Sequence, residues 1–215
     1  MNTPYIFFDV ANTLLEKREL YEVMLSVLKP DGFKGSLHDI QKTHRLVSEK
    51  TKFPPKTDDT FYRTFNTRFV RALGMQISDG LLHRISAACR DLPWRAYPDV
   101  VCLKDIPYPK GIISNWDTTL PEKVHDLLPY TFFPIIGSAV VGVSKPDKKI
   151  FQIALQEANV APAQCWYIGD SLIQDMEPAT RIGMHVILID RYAVHPEYTG
   201  VRIQSLLELP KVLKP

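Results

Sequence analysis

Four short segments of this 215-residue chain carry side chains that could do chemistry together. They are Asp9-Val10-Ala11-Asn12-Thr13, Ser114-Asn115, Lys145-Pro146, and Gly169-Asp170 with Asp175 beyond it. Carboxylates can attack as nucleophiles or offer oxygen ligands to a hard cation. A hydroxyl and an ammonium can hold the oxygens of an anion. Together these types suit phosphoryl transfer assisted by a divalent cation. Each segment alone has a plainer reading. Asp at a strand end is commonly a cap or turn residue. Ser114-Asn115 reads equally as a loop start, Lys145 as a solvated lysine, and Gly-Asp-Ser as a turn with a helix N-cap. What sets them apart is that all four lie at, or just after, predicted strand ends.

The elements behind them come from hydrophobic patterning. Tyr5 to Phe8 is a short continuous apolar run, which suits a buried strand of a parallel sheet. Gly111-Ile112-Ile113, Ile135-Ile136-Gly137, Cys165 to Ile168 and Val186 to Ile189 predict further strands. Between them, Leu120 to Leu128 reads as a helix, Pro146 opens one that runs to about Ala158, and Leu172 to Ile182 is one stopped by Gly183. This alternation predicts an α/β fold, a doubly wound Rossmann-like parallel sheet. Open sheets of that kind bind ligands outside the carboxyl ends of their strands.

Residues from about Lys17 to Leu92 have a different character. Leu20, Val23, Met24, Val27 and Leu28 recur at helical spacing, Phe61, Phe65, Phe69 and Leu73 step by four, and Ile77, Leu81, Leu82 and Ile85 suggest another helix. No strand signal interrupts them, and Phe53-Pro54-Pro55-Lys56 breaks the block in two. The chain therefore divides into a core of residues 1–15 and 95–215 and an inserted all-helical cap of residues 16–94. A cap rooted just after Asp9 is expected to cover the pocket and exclude water.

Bulk properties exclude several classes. The net charge is +2, with no basic tail or dense Lys/Arg run, which argues against a nucleic-acid partner. The longest weakly polar run, Phe132 to Val143, is too short to span a membrane and contains Pro134, Gly137 and Gly142. Cys89, Cys102 and Cys165 are odd in number and widely spaced, which fits a reducing cytoplasm and not a zinc site. Met1-Asn2-Thr3-Pro4 leads straight into a strand, so no signal peptide is readable. Oligomeric state stays open.

FFDVANTLL, IISNWD, SKPDKKIF and YIGDSLIQDMEPATRIGM resemble, in order, the four motifs of the haloacid dehalogenase (HAD) superfamily of hydrolases. The third and fourth are the most specific, and the resemblance covers essentially the whole chain. The helical insertion and the ending Ser205-Leu206-Leu207-Glu208-Leu209-Pro210 look like the phosphoglycolate phosphatase and dehalogenase branch. The resemblance implies that Asp9 attacks phosphorus and forms an aspartyl-phosphate on a small phosphorylated substrate. It implies a Mg²⁺ held by Asp9, the carbonyl of Ala11 and Asp170, with Asp175 as a ligand or just behind the ligands. Ser114 and the Asn115 backbone would hold phosphoryl oxygens, and Lys145 would offset negative charge. Three clustered carboxylates without a cation would repel one another.

One position departs from that pattern. Phosphatases of the family usually carry a second Asp two residues after the nucleophile, where this chain has Ala11. Ala transfers no proton, and general acid–base catalysis is worth ~10²–10⁴-fold. Asn12 stands where Gly is usual, though Asn tolerates the backbone angles for which Gly is used. Three readings follow. The first is a phosphatase whose acid comes from the cap, with His38, His44 and His83 as candidates, or is bypassed, so that aryl and acyl phosphates suffer least. The second is a phosphonoacetaldehyde hydrolase, which also carries Ala there and uses a cap lysine as a Schiff base; Lys42, Lys50, Lys52 and Lys56 match by location only. The third is a catalytically weak or inactive binding or scaffold protein. A dehalogenase fits less well, because its fourth motif resembles Ser-Ser-Asn where this chain has Gly169-Asp170. The basic excess of residues 33–72, nine Lys/Arg against four acids, would attract an anionic substrate, but a solvated helical face explains it as well. The first reading, a cytoplasmic Mg²⁺-dependent phosphatase slow on alkyl phosphates, is preferred because the other three segments are intact.

Overall fold

The computed structural model describes residues 3–54 and 57–213. In chain order its strands are β1 (Tyr5–Phe8), β2 (Leu15–Glu16), β3 (Arg95–Ala96), β4 (Lys110–Ser114), β5 (Ile135–Gly137), β6 (Cys165–Gly169), β7 (His185–Ile189) and β8 (Arg202–Ile203). Six of them form one parallel sheet in the order β5-β4-β1-β6-β7-β8, and β2 pairs with β3. The chain thus has an α/β fold, a parallel sheet with a helical segment inserted into it.

β1 lies at the centre of the sheet because all four of its residues are apolar and buried, which suits a strand covered on both faces. Its register decides where the chemistry falls. Phe8 pairs with Ile112 of β4 on one side and with Ile168 of β6 on the other. The carboxyl ends of the three strands are therefore level. Asp9, Ser114 and Gly169-Asp170 emerge at one edge of the sheet. Beneath them Phe7, Ile113, Phe151, Tyr167 and Leu188 belong to one buried apolar cluster.

The helices are α1 (Leu20–Leu28), α2 (Leu37–Glu49), α3 (Asp59–Ala72), α4 (Asp79–Cys89), α5 (Leu120–Leu127), α6 (Ser138–Val141), α7 (Lys148–Ala158), α8 (Glu177–Arg181) and α9 (Leu209–Val212). Lys17–Arg95 with Tyr192–Val194 form one compact unit, and the remaining described residues form another built on the sheet. The first unit has its own core, in which Met24, Leu28, Ile40, Phe69, Leu81 and Ile85 pack together. Asp58 and Ser78 cap α3 and α4 by accepting the N–H groups of Phe61 and Leu81. No helix among the described residues is long and apolar enough to cross a membrane.

Several local expectations need correction. Pro146 precedes its helix and does not open it: α7 starts at Lys148, where the Asp147 side chain accepts the Lys149 N–H at 2.9 Å. The segment Leu172–Met176 is π-helical before α8 begins. Ile77 lies outside α4, ahead of the Ser78 cap. The patterning missed α2, because its buried positions are Ile40, Arg45 and Glu49, only one of them apolar. Its start is set by Ser36 and Asp39, each accepting the other's backbone N–H, at 3.2 and 2.7 Å. Two-residue β8 was too short to read. Met1, Asn2, Pro55 and Lys56 lie outside the described residues.

Candidate active site

Asp9 continues β1, and its N–H donates to the Ile168 carbonyl at 2.9 Å. That bond extends the pairing of β1 with β6 by one residue and fixes the Asp9 backbone at the carboxyl end of the strand. Asp9 Oδ1 accepts from Ser114 Oγ at 2.9 Å and from Lys145 Nζ at 2.7 Å. Both donors thus fall on the same carboxylate oxygen. Lys145 Nζ also donates to Asp175 Oδ1 at 2.6 Å and to the Tyr167 hydroxyl at 3.0 Å. An ammonium has three protons, and all three have acceptors here. Lys145 is 3% exposed, Ser114 1% and Asp175 1%, so these contacts are made away from water, where charge pairs act most strongly.

Asp175 is held by more than Lys145. Its Oδ1 lies 3.0 Å from the Tyr167 hydroxyl, and its Oδ2 accepts the Ser171 N–H at 3.1 Å. The π-turn brings it there: the N–H groups of Asp175 and Met176 both donate to the Ser171 carbonyl, at 3.2 and 3.0 Å. Such turns insert a residue and re-aim the side chains after it. Gly169 makes room, since a Cβ there would lie 2.5 Å from the Asp175 carboxyl carbon. Asp170 is half-buried, and oxygens of Asp9, Asp170 and Asp175 lie within 4.8 Å of one another.

Asn115 has a part that residue type alone did not suggest. Its Oδ1 accepts the Lys145 N–H at 2.8 Å and its Nδ2 donates to the Lys145 carbonyl at 3.1 Å. The side chain clamps the backbone of the lysine, while Nδ2 also reaches Gln174 Oε1 at 3.3 Å. Tyr167 was missed altogether. The signal was present, because Tyr167 is two residues before Gly169 on β6 and so shares its face.

Charge explains the protonation states. Burial works against a charged Lys145, but the carboxylates of Asp175 and Asp9 outweigh it and hold the ammonium above its usual range. Burial pushes the Asp175 carboxyl up, with Lys145 pulling it back. Burial, with Asp175 and Asp9 nearby, pushes the Tyr167 hydroxyl far up, so it stays a donor. Three carboxylates against one ammonium leave two negative charges in excess when all are ionised. An oxygen donor set of that charge, converging within 4.8 Å, fits a hard divalent cation.

The loop after Asp9 closes on itself. The N–H groups of Leu14 and Leu15 both donate to the Val10 carbonyl at 2.9 Å, and Asn12 N–H donates to the Leu15 carbonyl at 2.7 Å. Asn12 has φ +59°, a left-handed angle that explains how Asn serves where Gly would. The Ala11 side chain is a methyl group with no polar atom. In the helical unit, His38 and His83 are exposed, and so are Lys42, Lys50 and Lys52; Lys56 lies outside the described residues. His44 packs its ring against Tyr21, Phe65 and Phe69, with centroids 5.5, 5.1 and 5.6 Å away. Burial lowers its pKa to about 3, with Arg45 adding to the effect, so the ring is neutral near neutral pH. Phe65 and Phe69 are buried, so the phenylalanine stripe is helical core.

A model of the haloacid dehalogenase-like hydrolases matches residues 4–183. The chain is 29% identical over 199 residues to the glyceraldehyde 3-phosphate phosphatase of Methanopyrus kandleri, covering 86% of this chain and 83% of that one. It is 38% identical over 80 residues to the haloacid dehalogenase-like hydrolase domain-containing protein 3 of Mus musculus. That match takes in 37% of this chain and spans only 32% of the mouse protein's length. Among solved structures, a magnesium-bound HAD-hydrolase from Bacillus subtilis superposes with a TM-score of 0.65 at 18% identity, over 99% of each chain. At that identity the likeness is one of fold.

Proposed function

Because this chain belongs to the haloacid dehalogenase-like hydrolase family and is a phosphatase-like hydrolase within it, we propose that it cleaves a small phosphorylated compound with Asp9 as nucleophile. The observation that carries this reading is the pair of donors on Asp9 Oδ1, Ser114 at 2.9 Å and Lys145 at 2.7 Å. They orient the carboxylate and neutralise part of its charge, and they leave its other oxygen for attack. A carboxylate so held forms a bond to phosphorus as the bond from phosphorus to the leaving oxygen breaks. Water then attacks the aspartyl-phosphate, phosphate departs, and Asp9 is regenerated. The net change is hydrolysis of one phosphate ester or anhydride.

Asp9, the Ala11 carbonyl and Asp170 are the groups that would hold Mg²⁺, with Asp175 beside them. When bound, Mg²⁺ supplies charge neutralisation between the anionic carboxylate and the anionic phosphate. Lys145 stays protonated and stabilises the charge that spreads over the phosphoryl oxygens. Ser114 turns its hydroxyl from Asp9 towards those oxygens. Asp175 and Tyr167 keep Lys145 in place, and Asn115 keeps its backbone there.

Ala11 sets the choice of leaving group. With no carboxyl to protonate the departing oxygen, acyl and aryl phosphates react well and alkyl phosphates slowly. The exposed His38 and His83 and the partly buried, neutral His44 do not favour a donor in the helical unit. Similarity to the Methanopyrus kandleri enzyme makes glyceraldehyde 3-phosphate the first alkyl phosphate to try. The three cysteines are free, two of them buried, which supports a reducing cytoplasmic location.

Ala11 also favours a second reading, a weakly active protein that retains the ligand site. A phosphatase screen separates the two. Aryl, acyl and alkyl phosphates, with glyceraldehyde 3-phosphate among them, are incubated with and without Mg²⁺. Turnover that needs Mg²⁺ and is abolished in Asp9→Asn is expected. No turnover of any compound, with no phosphorylation of Asp9, overturns the enzyme reading.

A further inference from the structure

Arg191 lies two residues beyond β7 and spends its guanidinium on the loop that begins at Asp9. Its Nε donates to the Asn12 carbonyl at 3.3 Å, and its Nη2 donates to the Thr13 carbonyl at 2.8 Å. Its other bonds go to Asp99: Nη1 to Oδ2 at 2.7 Å and Nη2 to Oδ1 at 3.0 Å. The guanidinium carbon also lies 3.7 Å from the centre of the Tyr97 ring.

The anchor is itself anchored. Asp99 Oδ2 accepts from Ser205 Oγ at 2.8 Å and from the Leu206 N–H at 2.9 Å. Tyr97 N–H donates to the Leu14 carbonyl at 3.0 Å, which ties the platform under Arg191 to the same loop. Burial raises the Asp99 carboxyl, but the hydrogen bonds and charge of Arg191, with Ser205 and Leu206, bring it below its usual range. The pair is therefore ionised on both sides at neutral pH. The ending that resembled the family in sequence, from Ser205 onward, thus has a physical connection to the start of the chain.

We infer that Arg191 is a positioning residue that fixes the shape of the loop carrying Asp9 and the Ala11 carbonyl. The inference rests on the phosphatase reading above for what the loop is shaped to do. Asn12 turns the loop at φ +59°, a left-handed angle that Asn tolerates, and the carbonyls of Asn12 and Thr13 that follow are bonded from outside the loop. Arg191 supplies that hold on the two carbonyls that follow Ala11. A guanidinium can do this and a lysine cannot. Four bonds leave in fixed directions from one planar fork, and an ammonium is a point donor that cannot reach both carbonyls and both carboxylate oxygens.

The test compares wild type with Arg191→Lys and Asp99→Asn. Hydrogen exchange is followed in metal-free protein for the peptide spanning residues 10–15, with β6 as internal reference. Magnesium affinity by calorimetry and steady-state kinetics on an aryl phosphate complete it. Arg191→Lys should exchange at residues 10–15 faster by about tenfold, with β6 unchanged, and should bind Mg²⁺ more weakly. Its kcat should fall by about 10²-fold with KM within twofold, the signature of misplaced reacting groups. Asp99→Asn should lie between the two, since Arg191 then keeps its carbonyl bonds without its charged anchor. A folded Arg191→Lys with unchanged loop exchange overturns the inference. So does exchange that rises equally in β6, which would mean global loosening. Should Arg191→Lys fail to fold, Asp99→Asn decides by the same two criteria. A wild type inactive on every phosphate sinks the phosphatase reading instead, and loop exchange with Mg²⁺ affinity then decides for Arg191.

Discussion

Lys145 Nζ donates to Asp175 Oδ1 at 2.6 Å, and both side chains are shut off from solvent almost completely. The pair spans the junction between two segments, the loop before α7 and the π-turn before α8. Asp9 accepts from the same ammonium, 2.7 Å away. Lys145 is thus the cation around which the negative groups are arranged.

Lys145→Met should leave Asp9 and Asp175 buried without their partner. Breaking a buried pair by removing one member costs about 3–5 kcal/mol. The urea midpoint of metal-free protein should fall accordingly, and saturating Mg²⁺ should restore part of it, because a ligand of the folded state adds stability. A midpoint equal to wild type in metal-free buffer would show that the ammonium is not what balances these charges.

Gly169→Ala should push the Asp175 carboxyl out of place, since the new Cβ would lie 2.5 Å from its Cγ. Overpacking of this kind costs about 1–3 kcal/mol. Turnover should drop more than stability does, because Asp175 holds Lys145 against the site. Thermal melting and kcat on one aryl phosphate check this; a variant with wild-type kcat contradicts it.

Ala11→Asp should speed hydrolysis of alkyl phosphates while changing aryl phosphates little. The gain expected from a restored general acid is at most ~10²–10⁴-fold. Rates on glyceraldehyde 3-phosphate and on an aryl phosphate, measured side by side, give the ratio. A folded variant that binds Mg²⁺ and shows no gain means that leaving-group protonation does not limit the site.

Acid should loosen the helical unit through His44. Its folded pKa is about 3, below the ordinary value, and burial is the main cause. The unfolded chain therefore takes up this proton first. The stability contributed by a neutral His44 is complete above an unfolded pKa of ~6.5 and is lost as pH falls from there towards the folded value. At pH 5 the loss is of the order of 1–2 kcal/mol. His44→Phe keeps the aromatic packing and removes the titration, so its urea midpoint should change less between pH 7.5 and pH 5 than that of wild type. Equal pH sensitivity in the two proteins would clear His44 of the effect.

The sequence itself determined five of the six strands of the main sheet, β1, β4, β5, β6 and β7. Short apolar runs such as Tyr5 to Phe8 bury on both faces wherever they occur, so their fate is legible locally. It also determined which residue types lie at the strand ends: Asp9, Ser114 and Gly169-Asp170. Elements whose signal is weak were missed or misplaced: α2 with one apolar residue among its buried positions, two-residue β8, and the π-turn that replaces the first turn of a predicted α-helix. Only the tertiary structure decided who touches whom. Lys145 meets Asp175 across 30 residues, Arg191 meets Asp99 across 92, and Arg191 meets the Thr13 carbonyl across 178. No local periodicity encodes contacts at such separations. They follow from the register of β1 between β4 and β6, which sets three strand ends level and lets distant loops share one buried ammonium and one guanidinium.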